Sequence, residues 1–232
     1  MFSDHSKNLN LVHRGTGGAI ADVTIETQHP MGNAMTTAQC WTFEQYLRWS
    51  NDSEKRYELV DGSLIELPPE SEPNTSLANY LFLQLVNAGV PFRLVQPHTC
   101  ELQVPVLQAG DAANRYPDLV VLREEHLALT RQRLTITFDM VPPHLVVEVV
   151  SPGDRNRSRD YDRKRQQYAA RGIPEYWLID PQEQAIVLLG LDDGRYITLE
   201  RVTGDAPIYS PELARLGVRL SLTAGQLLAI VL

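Results

Sequence analysis

The chain has 232 residues, of which 43% are hydrophobic, and its 21 basic and 29 acidic residues give a formal net charge of −8. This length suits one domain with a substantial core, and no apolar run approaches the ~20 residues that a membrane-spanning helix needs. The acidic balance argues against non-specific coating of nucleic acid, and two widely spaced cysteines argue against a disulfide framework or a zinc site.

The first segment, residues 1–36, mixes Gly, Asn, Thr and His without a sustained period, so we expect a flexible lead-in. It has no apolar stretch behind its charges of the kind that a secretory signal carries. Together with the sparse cysteines, this favours a soluble protein of the reducing cytoplasm. We expect residues 37–232 to form a single domain.

A hairpin is predicted where Asp61-Gly62 separates two short apolar runs. A two-residue loop sets the register of the strands and places Glu58 opposite Ile65. Because side chains alternate along a strand, Glu58 then shares a mostly apolar face with Val60. The alternative is an edge strand on which Glu58 is exposed to solvent.

The other elements predicted before the central segment are a capping-box helix at 42–49, a helix at 74–88 and strands at 92–96, 99–106 and 115–122. The last of these strands contains Pro117-Asp118 followed by an apolar run. An Asp beside a Pro is more commonly a simple turn residue, so a structural role for Asp118 stays open at this point. Residues 123–141 are expected to be a variable loop or a short helix.

The central segment, residues 142–180, places Glu148 inside a run of valines that has the pattern of a strand buried on both faces. An ionised carboxylate there is costly unless a metal, a cation or a proton compensates it. In the helix predicted at 159–171, Asp160, Lys164 and Tyr168 recur at i, i+4 and i+8 and share one face. An acid four residues before a lysine is also an ordinary stabilising helix pair, which is the alternative role for Lys164.

Basic side chains are concentrated around this helix: Arg155, Arg157, Arg159, Arg163, Lys164, Arg165 and Arg171. Three aspartates are interleaved with them. The sequence leaves two interpretations open, a solvated helix face and a surface that faces phosphates.

The remaining predicted elements are a strand at 176–179, a hairpin of 185–191 with 196–200, a strand at 218–222 and a helix at 224–230. No internal repeat and no Gly-rich phosphate loop is present in the sequence. The six histidines show no metal-binding spacing and receive no role.

Three carboxylates, Glu58, Asp118 and Glu148, therefore lie on or beside apolar strands, and Lys164 lies on the following helix. Carboxylates on adjacent strands can hold Mg²⁺, which can activate water and neutralise charge on a scissile phosphate. The backbone carbonyl of Val149 is a further candidate ligand. Lys164 would orient the attacking water or stabilise the developing charge.

Four stretches, YELVDG, YPDLVVL, PPHLVVEVVSP and RDYDRKRQQYAARGIPEYWLIDP, resemble the Uma-two restriction endonuclease family of the PD-(D/E)XK nuclease superfamily. The resemblance covers roughly residues 40 to 230. It implies an α/β fold with a restriction-endonuclease-like core, in which a central mixed sheet is flanked by helices. It also implies that Asp118 is the PD aspartate, Glu148 the (D/E) residue and Glu58 the upstream acid.

The chain departs from the superfamily pattern at one place and from the family pattern at another. The motif lysine would stand two residues after Glu148, where this chain has Val150; the family is thought to use a lysine from the next helix, and Lys164 is the candidate by position. Family members also often carry a histidine where this chain has Asn74 to Ser76. The resemblance therefore does not carry a substrate-contacting role over to these positions.

The function implied by the resemblance is that of a DNA endonuclease dependent on Mg²⁺ or Mn²⁺, with Glu58, Asp118, Glu148 and Lys164 as catalytic residues. Asp118, Glu148 and Val149 would hold the metal, and a homodimer without membrane contact is expected. One alternative is a non-catalytic binding or assembly module of the same fold, favoured by the acidic charge and the missing motif lysine. Another is a nuclease that acts on RNA.

Overall fold

The structure is a computed structural model that describes residues 40–49 and 55–231. The lead-in expected at residues 1–36 lies outside the described residues, and the boundary at residue 37 stays a prediction. Within the described ranges, no helix combines the length and the apolar character needed to cross a membrane.

The described residues form eleven strands, in chain order β1 (Tyr57–Val60), β2 (Ser63–Glu66), β3 (Val95–Pro97), β4 (Glu101–Gln103), β5 (Asn114–Arg115), β6 (Leu119–Val121), β7 (Thr135–Ile136), β8 (Leu145–Val149), β9 (Glu175–Asp180), β10 (Ala185–Asp192) and β11 (Arg195–Thr203). The α-helices of the same ranges are α1 (Phe43–Arg48), α2 (Glu72–Asn87), α3 (His126–Leu129), α4 (Asp154–Ser158), α5 (Arg165–Arg171), α6 (Pro211–Arg215) and α7 (Ala224–Leu228). A π-helical segment, Arg159–Lys164, joins α4 to α5 in one continuous helix.

A six-stranded mixed sheet forms the centre of the fold, with the strand order β11-β10-β9-β8-β6-β3. Strands β8 and β9 are parallel neighbours, and every residue of both is buried. The continuous helix from α4 to α5 is the crossover between them, as a parallel pair requires. Helix α2 packs against β3 and β8, and α5 packs against β11. The predicted fold class, a central mixed sheet flanked by helices, is confirmed.

The first hairpin has the predicted register, with Glu58 opposite Ile65 and Val60 opposite Ser63. Both loop residues adopt left-handed backbone conformations, with φ of 46° at Asp61 and 78° at Gly62. Two such residues define the turn whose twist matches that of the flanking strands, and Asp-Gly accommodates it at low cost. The loop chemistry was therefore sufficient to predict the strand pairing.

The side chain of Asn114 ties strand β1 to the rest of the protein. Its Oδ1 accepts a hydrogen bond from the Leu59 amide at 2.8 Å, and its Nδ2 donates to the Tyr57 carbonyl at 2.8 Å. The same Nδ2 donates to Oε1 of Glu101 at 2.6 Å. Asn114 therefore holds the backbone on both sides of Glu58.

Several predicted boundaries were wrong. Residues 92–94 form a 3₁₀ turn after Pro91, so only 95–97 are a strand. The strand predicted at 115–122 is divided into β5 and β6, because Pro117 has no amide hydrogen for a ladder. Of the residues predicted as a strand at 99–106, only 101–103 form one.

The C-terminal predictions were only partly correct. Residues 218–222 do not form a strand; the Ile208 amide bonds the Leu222 carbonyl, and an isolated bridge joins Pro207 to Thr223. Helix α6 was not predicted, although Ser210 caps it and Pro211 starts it, which is a common helix-start pattern. The helix predicted at 224–230 is present, with its last turn in 3₁₀ form.

Candidate active site

Asp118 and Glu148 meet on neighbouring strands of the central sheet. Asp118 immediately precedes β6, whose Leu119 pairs with Val147 of the antiparallel strand β8, so Asp118 stands opposite Glu148. The Val149 amide donates a hydrogen bond to Oδ2 of Asp118 at 2.6 Å. Asp118 is 6% exposed and Glu148 is 2% exposed, so the sheet places two carboxyl groups together in a nearly dry environment.

Lys164 points into this pair, as the face shared with Asp160 and Tyr168 predicted. Its Nζ donates to Oε2 of Glu148 at 2.7 Å and lies 3.1 Å from Oδ1 of Asp160. The Tyr168 hydroxyl donates to Oε1 of Glu148 at 2.6 Å. Both oxygens of Glu148 therefore accept a hydrogen bond from the crossover helix. The ion pair of Lys164 with Asp160, which was the alternative role for the lysine, is present as well, together with the contact to Glu148.

Burial determines the protonation behaviour of this cluster. It raises the pKa of Asp118 well above the ordinary value, and the nearby charge of Glu148 raises it further. Burial also raises the pKa of Glu148, although the Lys164 ammonium opposes that shift. For Lys164, burial alone would lower the pKa, but the charges of Glu148 and Asp160 outweigh it, so the pKa is raised and the lysine stays protonated. Lys164 and Arg159 both contact Asp160, and Lys164 also contacts Glu148, whereas Asp118 has no lysine or arginine of the described residues within ion-pair distance.

Glu58 lies in the wall of the same cavity, but its carboxylate is already paired. Arg115 Nη1 donates to Glu58 Oε2 at 2.9 Å, and Gln167 Oε1 accepts from Arg115 Nε and Nη2 at 2.9 and 2.8 Å. The Glu58 side chain is 16% exposed, so the alternative of a solvent-exposed edge carboxylate is wrong. The sequence offered no signal for the arginine partner, which lies 57 positions away.

The carboxylates open into a cavity of about 270 Å³. Its lining includes Glu58, Tyr116, Asp118, Glu148, Val149, Ser151, Asn74, Asn156, Arg159 and Lys164. Asn74, at the position where related sequences often carry a histidine, donates from Nδ2 to the Ser151 hydroxyl at 2.9 Å. Its amide therefore reaches the cavity wall, at the turn that follows β8.

A histidine that the sequence left without a role lies next to Asp118. His98 Nδ1 is 3.7 Å from Oδ1 of Asp118, and the His98 amide donates to the Asp118 carbonyl at 3.0 Å. Burial lowers the pKa of His98 and favours the neutral ring. Both ring nitrogens are buried and lack a hydrogen-bond partner among the described residues. No spacing pattern could have found this residue, because it reaches Asp118 through a left-handed turn at φ 57°.

The donor set fits a hard divalent cation such as Mg²⁺. No cluster of three or more His, Cys, Asp or Glu side chains suited to a metal occurs in the described part of the chain. Mg²⁺, however, is usually held by one or two carboxylates together with waters and substrate phosphates. Oδ1 of Asp118 accepts no hydrogen bond from any described residue, and Glu148 oxygens keep a further lone pair each. Both carboxylates therefore keep oxygen lone pairs that a cation could bind.

A mixed sheet that brings two buried carboxylates together on neighbouring strands, with a lysine on the crossover helix, defines a protein of the restriction-endonuclease-like class. The family model described as "Uma2: Putative restriction endonuclease" matches residues 43–223. The chain belongs to this family.

The fold is also similar to a solved structure, described as "a putative nuclease belonging to DUF820" from Anabaena variabilis. The match has a TM-score of 0.56 and 18% sequence identity, and it covers 83% of this chain and 99% of that one. At this identity the similarity supports the fold. No curated protein sequence matches the chain significantly.

Proposed function

We propose that the protein is a metal-dependent endonuclease that hydrolyses phosphodiester bonds in DNA. The observation that carries this proposal is the arrangement of Asp118 and Glu148 on neighbouring strands with Lys164 Nζ 2.7 Å from Glu148. Membership of a family named for restriction endonucleases supports the same reaction class.

The proposed ligands of Mg²⁺ or Mn²⁺ are the Asp118 and Glu148 carboxylates and the Val149 backbone carbonyl. The bound ion would supply positive charge at the phosphate and lower the pKa of a water molecule. Lys164 carries a proton, so its role is to donate a hydrogen bond to the attacking water or to an anionic phosphoryl oxygen, and it does not act as the base. Glu58, with its carboxylate bound by Arg115, positions that arginine and shapes the cavity.

A second candidate, a non-catalytic binding module of the same fold, is favoured by one observation. The chain itself supplies donors to both oxygens of Glu148, from Lys164 and from Tyr168. Such a cluster can be retained as a buried ion network without turnover. The two candidates differ in whether a divalent metal produces cleavage.

The deciding experiment is cleavage of supercoiled plasmid and of a single-stranded RNA in the presence of Mg²⁺ or Mn²⁺. We expect plasmid cleavage, reduced at least about 100-fold in Asp118→Asn and in Glu148→Gln. Glu175→Gln is the matched control, because Glu175 is another buried strand carboxylate, bonded to Trp177 and to the Glu212 amide. Cleavage that survives in both site variants would contradict the site assignment.

Two other results would redirect the proposal. Cleavage of the RNA without cleavage of the plasmid would make the substrate RNA. A folded protein whose melting temperature rises with Mg²⁺ but which cleaves neither polymer would support the binding module. Circular dichroism of each variant excludes loss of fold as the cause of inactivity.

We also propose that the active form is a homodimer, since one site per chain would nick a duplex and two sites are needed to cut both strands. Light scattering after size-exclusion chromatography measures the mass directly. A monomeric mass together with double-strand cleavage at limiting enzyme would contradict the dimer.

A further inference from the structure

A second concavity, of about 520 Å³, adjoins the carboxylate cavity. The two share Glu58, Asn156 and Arg159 in their walls. Four arginine side chains line the second concavity, and we call it the arginine groove: Arg115, Arg155, Arg159 and Arg163.

The arginines of the crossover helix differ in what they contact, depending on the helix face they occupy. Arg155, Arg159 and Arg163 follow one another at four-residue intervals and line the arginine groove. The other arginines bond to the protein itself: Arg157 to Asp180, Arg165 to the Tyr196 carbonyl, and Arg171 to the carbonyls of Thr137 and Met140. The basic residues clustered in the sequence therefore include two groups of arginines: one that bonds to other parts of the protein and one that lines the arginine groove.

The charge of the groove is incompletely neutralised. Its lining acid, Glu58, is paired with Arg115. Arg159 pairs with Asp160 at 3.1 Å, whereas Arg163 reaches only the Gly110 carbonyl at 3.3 Å and stands 3.9 Å from Asp111. Arg155 is exposed, and no described residue forms an ion pair with it. A net positive groove in a chain of net charge −8 marks a site for an anion.

We propose that the arginine groove binds the phosphodiester backbone of the nucleic acid strand that flanks the scissile phosphate. This inference rests on the proposed function, because the groove shares three wall residues with the carboxylate cavity. Arg155 and Arg163 are separated by eight residues, about 12 Å along a helix. Nucleotides of one strand repeat at about 3.4 Å along a duplex axis, so the groove spans three to four of them.

The groove predicts the kind of contact as well as its position. Guanidinium groups bind phosphate oxygens through two parallel hydrogen bonds, which suits a row of arginines to a phosphate backbone. Backbone contacts fix the register of a strand but carry no base information. The arginine groove would therefore position the strand and would contribute little to sequence preference.

The test compares two double variants that remove the same charge. Arg155→Gln with Arg163→Gln alters the groove, and Arg195→Gln with Arg219→Gln alters exposed arginines that line neither cavity. Fluorescence anisotropy measures binding of a labelled oligonucleotide of mixed sequence in EDTA, so the readout does not depend on cleavage. We expect the groove variant to bind at least about tenfold more weakly and its salt dependence to lose a slope of roughly 2, about one for each phosphate contact.

Each outcome bears on the groove separately from catalysis. Equal affinity and equal salt dependence in the groove and control variants would overturn the groove proposal, even if the wild-type protein cleaves DNA. A groove-dependent loss of binding in a protein that never cleaves would support the groove and contradict the proposed function. A loss of the same size in the control variant would also overturn the groove proposal, because it would show a general charge effect.

Discussion

The ammonium of Lys164 lies 2.7 Å from Oε2 of Glu148, although 16 positions separate the two residues in the chain. The residue two positions after Glu148, where the superfamily pattern has its lysine, is Val150, which is 3% exposed and packs in the core. The positive charge therefore reaches the strand carboxylate from the crossover helix, and the strand position is left to an apolar side chain.

Removal of this ammonium should destabilise the protein as well as inactivate it. In Lys164→Met, Glu148 and Asp160 lose their shared cation, and we expect the free energy of unfolding to fall by about 3–5 kcal/mol. Urea denaturation measures the change. In the double variant with Glu148→Gln, the loss should be smaller than the sum of the two single losses, because the uncompensated charge is gone. Strictly additive losses would contradict a direct coupling.

The stability of the metal-free protein should depend on pH in a defined direction. Burial raises the folded-state pKa of Asp118 and Glu148, so the folded protein retains protons that the unfolded chain has released. In EDTA, the free energy of unfolding should therefore decrease as the pH rises from about 4 through the raised pKa range. Since a metal binds the deprotonated carboxylates, the increase in melting temperature caused by Mg²⁺ should grow over the same range.

Thermal melts with Mg²⁺ and with EDTA, from about pH 5 to about pH 8, measure this linkage. Asp118→Asn should remove most of the metal effect, and Glu175→Gln should retain it. A Mg²⁺ effect that is constant over the whole range would argue against ligands with raised pKa values.

Glu58 and Asp118 should differ in their effect on metal binding. Because the Glu58 carboxylate is bound by Arg115, Glu58→Gln should leave the Mg²⁺-induced rise in melting temperature nearly unchanged. It should lower cleavage, by roughly tenfold, because Arg115 loses its charge partner at the edge of the cavity. Isothermal titration with Mn²⁺ provides a second measurement. A loss of metal affinity as large as that of Asp118→Asn would make Glu58 a direct ligand.

Asn114 should matter for both stability and activity, although it lines neither cavity. Asn114→Ala removes the partners of the Leu59 amide, the Tyr57 carbonyl and Glu101 Oε1. Each buried group left without a hydrogen bond costs about 1–3 kcal/mol, so we expect a lower melting temperature and a hairpin that no longer holds Glu58 in place. Hydrogen exchange of the β1 amides measures the hairpin directly. Unchanged protection there would contradict the anchoring role.

The elements that could be predicted are those with strong local determinants. The Asp61-Gly62 loop determines the register of β1 and β2, and an apolar run around Glu148 identifies a buried strand with a carboxylate in it. The shared helix face of Asp160, Lys164 and Tyr168 needed only the helical period. The pairing of β6 with β8 then places Asp118 and Glu148 side by side.

The remaining features depend on contacts that have no local pattern. The ion pair of Arg115 with Glu58 and the approach of His98 to Asp118 join segments distant in sequence. The crossover helix begins at Asp154, five residues before its predicted start, because the turn at Gly153, with φ 98°, leads directly into it. The π-helical segment could not be predicted, because its residues have ordinary helix propensity.

The winding of that π-helical segment sets the direction in which the Lys164 side chain points, and therefore whether it reaches Glu148. Each residue of an α-helix advances the side chains by about 100°, whereas a π-helical turn holds more residues, so regular α-helical winding of these same six residues would turn every later side chain away from its present direction. Lys164 and Tyr168 would then lose their contacts with Glu148, and Gln167 would lose its contact with Arg115. Arg155, which precedes the segment, would keep its position. Under the proposed function, one continuous helix therefore positions both Lys164 in the carboxylate cavity and the arginines of the groove, and its local winding determines whether the two sites stay aligned.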